Sequence, residues 1–164
     1  MSLYHLNVTV HVLAALLWLG GMFFLGVVGA PVLRKVEPPA LRAQLFNQLG
    51  GAFRTAGWWS IAVLLVTGTL NLYYRNVLSW SVLGSGSFWA TSYGRALAVK
   101  LLCVLLMISI SAVHDFRHGP AAGRLRPGSP EALRARSAAA WMARLNALLG
   151  IILVFAAVRL ARGG

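Results

Sequence analysis

Four long apolar blocks constrain this sequence more than any other feature. They cover about residues 3–33, 56–74, 93–113 and 138–160. An α-helix rises about 1.5 Å per residue, so roughly 20 apolar residues cross the ~30 Å hydrocarbon core of a bilayer. Helices are expected because lipid cannot hydrogen-bond to open backbone groups. The sequence therefore predicts an all-α fold, an integral membrane four-helix bundle, with residues 1–164 forming a single domain.

The composition excludes an ordinary soluble domain. Hydrophobic residues make up 59% of the chain and charged residues only 11%, whereas roughly a quarter of the residues of a soluble domain are charged. The net charge of +12 raises the question of a nucleic-acid partner. The basic residues lie mainly between the apolar blocks, as orientation signals and lipid-headgroup contacts do, and no basic patch is interleaved with stacking aromatics. We therefore predict a lipid bilayer as the partner and no nucleic acid.

The distribution of basic residues predicts the orientation. One side of the membrane receives nine of them, in the first and third connections: Arg34, Lys35, Arg42, Arg54, Arg117, Arg124, Arg126, Arg134 and Arg136. The other side receives four: Arg75, Arg95, Arg159 and Arg162. By the positive-inside rule the nine lie in the cytoplasm. Both termini, and an aromatic interfacial segment at 76–92, then face the outer, periplasmic side of a multi-pass protein of the inner (cytoplasmic) membrane.

Two stripes of soft and ionisable side chains follow helical spacing. The stripe of the first span is His11, Ala15, Trp18 and Met22, and that of the third span is Lys100, Cys103, Met107, Ser111 and His114. Polar groups inside a span are costly and therefore indicate function. Both spans run in the same direction, so their residues can be matched in depth by their distance from the start of each span. This depth matching places His11 near Lys100 and Met22 near His114. About 18 Å separates the two levels, so His11 and His114 are predicted to serve separate sites.

Each histidine admits more than one interpretation. His11 either hydrogen-bonds a neighbour such as Thr67 or Asn71 of the second span, or ligates a metal or haem iron. His114 and His118 have the i, i+4 spacing of a metal pair, but no third ligand is evident. Lys100 either extends toward the membrane surface or meets an anion at the level of His11.

Small and aromatic residues of the first span suggest packing roles. Gly20, Gly21, Gly26 and Gly29 allow close helix approach, and their number predicts a homodimer. Trp18 either fills the core or forms a wall for a flat cofactor.

Three stretches resemble copper-resistance D-type membrane domains. They are His11-Val-Leu-Ala-Ala-Leu-Leu-Trp18-Leu-Gly20-Gly21, Val66-Thr67-Gly68, and Tyr93-Gly94-Arg95-Ala-Leu-Ala-Val-Lys100-Leu. Their order and spacing cover almost the whole chain. This resemblance implies copper uptake or handling.

A histidine in the first helix and a lysine in the third are also similar to the HemJ-type protoporphyrinogen oxidases, four-helix membrane proteins that bind haem b. That similarity implies functional roles for His11 and Lys100. This chain has Ala30-Pro31 where that family has a second histidine.

The residues and resemblances together favour a b-type haem protein in electron transfer, a candidate membrane oxidoreductase with an unidentified redox partner. His11 would be an axial ligand, Lys100 or Arg95 would hold the propionates, and Trp18 would line the pocket. The alternative is copper binding or transport along a ladder of soft ligands suited to Cu(I): His11, Met22, Cys103, Met107 and His114. A structural or assembly subunit without a cofactor is the third interpretation.

Overall fold

The computed structural model of the protein describes residues 2–118 and 129–163. In chain order the helices are α1 (Leu3–Leu33), α2 (Pro39–Tyr74), α3 (Trp80–Leu83), α4 (Gly86–Ala90), α5 (Ser92–Val113) and α6 (Pro130–Ala161). Four of them, α1, α2, α5 and α6, are long and apolar enough to cross a membrane, with mean hydropathies between 1.3 and 2.5 in their most apolar windows. The described residues include no strand. The predicted all-α, multi-pass membrane fold is thus confirmed, while its orientation stays a prediction.

Helix α2 begins well before the second apolar block. Its 36 residues correspond to about 54 Å of helix, well beyond the ~30 Å hydrocarbon core. The basic, amphipathic part of the first connection, from residue 39 onward, is therefore the first part of α2. Pro39 can occupy the first helical turn because the backbone N–H that it lacks would have no partner there.

Local irregularities mark the ends and middles of the spans. Helix α1 contains two π-helical turns, Leu16–Gly20 and Leu25–Gly29, and α5 continues through a third, His114–His118. After α2 the chain reverses at Asn76, whose φ of 55° is one that asparagine adopts more readily than most residues. The Thr91 side chain accepts a hydrogen bond from the Gly94 backbone N–H and so caps the start of α5.

All four long helices contribute to one buried core. Trp18 of α1, Ile61 of α2, Cys103 and Met107 of α5, and Leu153 of α6 pack together. Helix α1 lies mainly along α2, and α5 lies mainly along α6. The core therefore joins two helical pairs at mid-depth.

Some glycines of α1 are used for packing within the chain. Gly21 lies against the ring of Phe53, leaving no room for a side chain, and Gly29 is buried. Gly20 and Gly26 have no neighbour within reach of an added Cβ among the described residues. The predicted homodimer stays a prediction, and only this second pair is free to support it.

The segment 76–92 closes the end of the bundle where α1 begins. It forms α3 and α4, and the Trp89 indole N–H donates to the Leu83 carbonyl oxygen at 2.8 Å. Val77 is buried with Ala96, Leu97 and Leu160. Trp80, by contrast, is 93% exposed, as expected of a tryptophan at headgroup depth.

Candidate functional site

The His11 layer consists of His11 and the polar groups that surround it. His11 Nδ1 lies 2.7 Å from Thr67 Oγ1, and the Thr67 hydroxyl donates to the Val63 carbonyl oxygen at 2.6 Å. Because a hydroxyl has a single proton, a neutral His11 must donate from Nδ1. The lone pair then resides on Nε2, which has no hydrogen-bond partner among the described residues. The hydrogen bond to span two, one of the two sequence interpretations, thus leaves Nε2 available as a ligand.

Asn7, one turn before His11, fixes α1 against α2. Its amide nitrogen donates to the Thr67 carbonyl oxygen at 3.0 Å and to Asn71 Oδ1 at 2.8 Å. Asn7 is buried, so its bond to Thr67 is shielded from lipid, whereas its bond to Asn71 is partly exposed. These contacts hold Thr67, and through it His11, in place.

Two cations complete the His11 layer. Lys100 is half-buried and lies near enough to His11 for their charges to interact, and Arg75 lies similarly near Lys100. Among the described residues Lys100 has neither a hydrogen-bond nor an ion-pair partner. The hydrogen bond from Arg75 to the Tyr4 hydroxyl raises the pKa of the Arg75 guanidinium. Arg95 is exposed at the start of α5.

Soft side chains occupy the middle of the bundle. Cys103 and Met107 are buried beside Trp18, and Met107 is fully buried. Met22 packs against the same cluster from α1. The indole of Trp18 lies next to Gly57, so this residue fills the core.

Below this core lies a cavity of about 610 Å³, the His114 cavity, between all four long helices. Its walls are mostly apolar, and its polar or soft side chains include Met22, Met142, Ser111, His114, Asp115 and Asn146. Met22 and His114 line the same cavity, at the common level that depth matching assigns to them. His11 is not among its lining residues. His114 thus borders this cavity and His11 does not, while the assignment of each histidine to a site stays a prediction.

His114 is oriented by a carboxylate. Its Nδ1 lies 2.8 Å from Asp115 Oδ1, and Trp58 Nε1 donates to Asp115 Oδ2 at 3.0 Å. Since a carboxylate only accepts, the imidazole donates from Nδ1 and a neutral ring keeps its lone pair on Nε2. The side chain of His118 lies outside the described residues. No group of three or more His, Cys, Asp or Glu residues is gathered for a metal ion within the described part of the chain.

Several contributors to these sites escaped the sequence analysis. Asn7, Trp58, Met142 and Asn146 belong to neither helical stripe. Asn7 and Asn146 are polar residues within apolar blocks, and that signal could have singled them out. Nothing in the sequence pairs Trp58 with Asp115, since the two are 57 residues apart.

Comparisons with known proteins indicate a family. An uncharacterized protein of Aquifex aeolicus (strain VF5) is 31% identical over 154 residues, which cover 93% of this chain and 92% of that protein. No solved structure matches. The family model described as Copper resistance protein D matches residues 47–160, from within α2 to the end of α6. The chain belongs to the Copper resistance protein D family.

Proposed function

We propose that this protein binds copper(I) inside its helical bundle and passes it between the His11 layer and the His114 cavity. The observation that supports this proposal is the column of soft side chains at mid-depth, where Met22, Cys103 and Met107 pack in one core. Thiol, thioether and imidazole groups are ligands that suit Cu(I). The family description, copper resistance, points to the same metal.

The spacing of these groups suits transfer from one ligand to the next. Cys103 and Met107 are one helical turn apart, about 6 Å along α5. His11 Nε2 stands toward one end of the column, and Met22 stands at the other, on the wall of the His114 cavity. A bare cation is costly in the middle of a bilayer. Neighbouring soft ligands would lower that cost because the ion is never without a partner.

Haem is the less supported interpretation. The family description names copper, and the His114 cavity has no His11 in its wall. The free Nε2 of His11 would suit haem iron as well as copper. An absorption spectrum of the purified protein separates the two, because bound haem gives a Soret band and bound Cu(I) does not.

Copper uptake into proteoliposomes tests the proposal. Met107→Leu preserves volume and removes the sulfur, and Cys103→Ala removes the thiol. We expect the double variant to lose uptake of Cu(I) by about tenfold or more, the equivalent of about 1.4 kcal/mol. Leu105→Met adds a sulfur on the exposed face of α5 and serves as the control. Unchanged uptake in the double variant, with the helices intact, would contradict the proposed path.

Paired histidine variants test the His11 end of the path. His11→Ala should abolish copper binding at this level, since it removes the free Nε2. His5→Ala should leave it intact, because His5 is exposed and bonds locally to Ser2. Equal copper binding by the two variants would show that His11 is not a ligand.

A further inference from the structure

The His114 cavity has the dimensions and walls of a ligand site. Its volume of about 610 Å³ lies within the range of pockets that hold small organic molecules. Trp18, Phe53 and Trp58 supply aromatic walls, and α1, α2, α5 and α6 all contribute to the lining. A flat ring with an apolar tail would match these surfaces better than a compact, fully polar ligand.

Two acceptors in the wall have no donor. His114 Nε2 carries a lone pair, since Nδ1 is engaged by Asp115, and it has no partner among the described residues. Asn146 is 7% exposed, and its amide nitrogen donates to Ser111 Oγ at 3.0 Å. Asn146 Oδ1 is buried without any hydrogen bond among the described residues. The cavity therefore suits a ligand that donates hydrogen bonds.

The charges around the cavity limit the kind of donor. Arg34, Arg54 and Arg144 line it with exposed side chains, and Asp115 supplies the one carboxylate among the described residues of its wall. Asp115 is already held by His114 and Trp58. An ammonium group would be repelled by the three guanidinium groups. A neutral hydroxyl can donate without this repulsion.

We propose that the His114 cavity binds the hydroxylated aromatic head of a membrane quinol. One hydroxyl donates to His114 Nε2, and the ring lies between the aromatic walls. Asn146 Oδ1 is covered by its neighbours, so accepting the second hydrogen bond requires the amide to rotate toward the cavity and release Ser111 Oγ. Asp115 acts as a positioning residue, because it holds the imidazole with Nε2 free. The proposed copper path ends at Met22 on the wall of the same cavity, but the two hydrogen bonds to the quinol use none of its ligands, His11, Cys103, Met107 and Met22.

Binding of decylubiquinol to the full chain in phosphatidylcholine nanodiscs tests the site. We expect saturable binding, weakened about tenfold by His114→Phe, the equivalent of one hydrogen bond. Asn146→Leu should weaken binding in the same direction. His114→Gln restores an acceptor oxygen and should recover part of the affinity. Ser109→Ala is the matched control, because Ser109 is exposed and bonds only within α5.

Three outcomes would overturn the proposal. One is the absence of saturable decylubiquinol binding by a wild-type protein whose helical content is intact. Another is equal affinity in the wild type, His114→Phe and Asn146→Leu. The third is displacement of the probe by phosphatidylglycerol with no effect of His114→Phe, which would assign the cavity to a lipid. Copper uptake by the same variants is measured in parallel, so a failure of the quinol site and a failure of the copper path give different patterns.

Discussion

The His11 layer and the His114 cavity differ in how closely the helices pack around their polar side chains. In the His11 layer, Asn7 and Thr67 hydrogen-bond across α1 and α2, and within the described part of the chain His11 Nε2 and Lys100 have no hydrogen-bond partner. In the His114 cavity, Asn146 Oδ1 is buried and unpaired, and open space adjoins His114. Polar groups join helices at both levels, since Trp58 binds Asp115 and Asn146 binds Ser111 at the lower one, but only the lower level also borders a large cavity. We infer that the packing of α1 against α2 is more rigid at the level of His11, and that a ligand has room to bind at the level of His114.

The largest expected effect is on the activity of a reporter fusion, which is either present or absent. It shows whether the His11 layer or the His114 cavity lies nearer the outer side of the membrane. A periplasmic reporter such as alkaline phosphatase, fused after Gly164, should be active, because nine basic residues against four place the C-terminus outside. The same fusion to a cytoplasmic reporter should be inactive. The reverse pattern would place the His11 layer on the cytoplasmic side and reverse the direction of the copper path.

The next largest effect is the difference in lost stability between a variant of the packed core and a variant of the cavity wall. Met107→Ala should lower the free energy of unfolding by about 2–4 kcal/mol, because Met107 is fully buried and its loss leaves a void. Met142→Ala should cost less than about 1 kcal/mol, since Met142 already borders open space. Unfolding in mixed detergent micelles measures both. Equal losses would mean that the cavity wall is as tightly packed as the core.

A smaller effect compares the two buried asparagines. Asn7→Leu removes two hydrogen bonds between helices and should lower stability by about 1 kcal/mol, given roughly 0.6 kcal/mol for each such bond in a membrane. Asn146→Leu should be close to neutral, because one lost bond to Ser111 is offset by removal of an unpaired acceptor. The same unfolding assay applies, and a greater loss for Asn146→Leu would contradict the contrast between the two levels.

The smallest expected effect is the loss of stability when the hydrogen bond between Thr67 and His11 is removed. Thr67→Val keeps the shape and removes the hydroxyl that accepts from His11 Nδ1, so stability should fall by about 0.6 kcal/mol. Thr69→Val is the control, since Thr69 is exposed and bonds only to the Leu65 carbonyl oxygen of its own helix. If the control loses as much as Thr67→Val, the bond to His11 adds nothing to stability.

Helical spacing predicted that the α5 stripe shares one face, and the structure directs most of that face into the bundle. Cys103 and Met107 are buried in the core, Ser111 bonds to α6, and His114 lines the cavity, as one helical face directed into the bundle requires. Helical periodicity carries this information because polar and soft groups are excluded from lipid. The haem interpretation went further than the residues allowed, since a free imidazole nitrogen suits iron and copper alike.

The α2 and α6 walls of the sites were harder to predict. Helical spacing tells which residues share a face of one helix, but not which neighbour that face meets. Trp58 reaches Asp115, and Asn146 reaches Ser111, only because α2 and α6 lie against α5 at the required depth. The bulky residues and close-approach glycines that set these depths act through shape, which has no periodic signal.

The sequence by itself determined that the chain forms four membrane-length helices and that soft groups share one face of the first and of the third span. Both results follow from hydrocarbon, which accepts neither open backbone groups nor unpaired polar side chains. The tertiary structure alone decided that Met22, Met142, His114 and Asn146 surround one cavity, and that Thr67 leaves His11 Nε2 free. These features depend on how four helices pack, because a cavity is a property of the space between side chains rather than of any one segment.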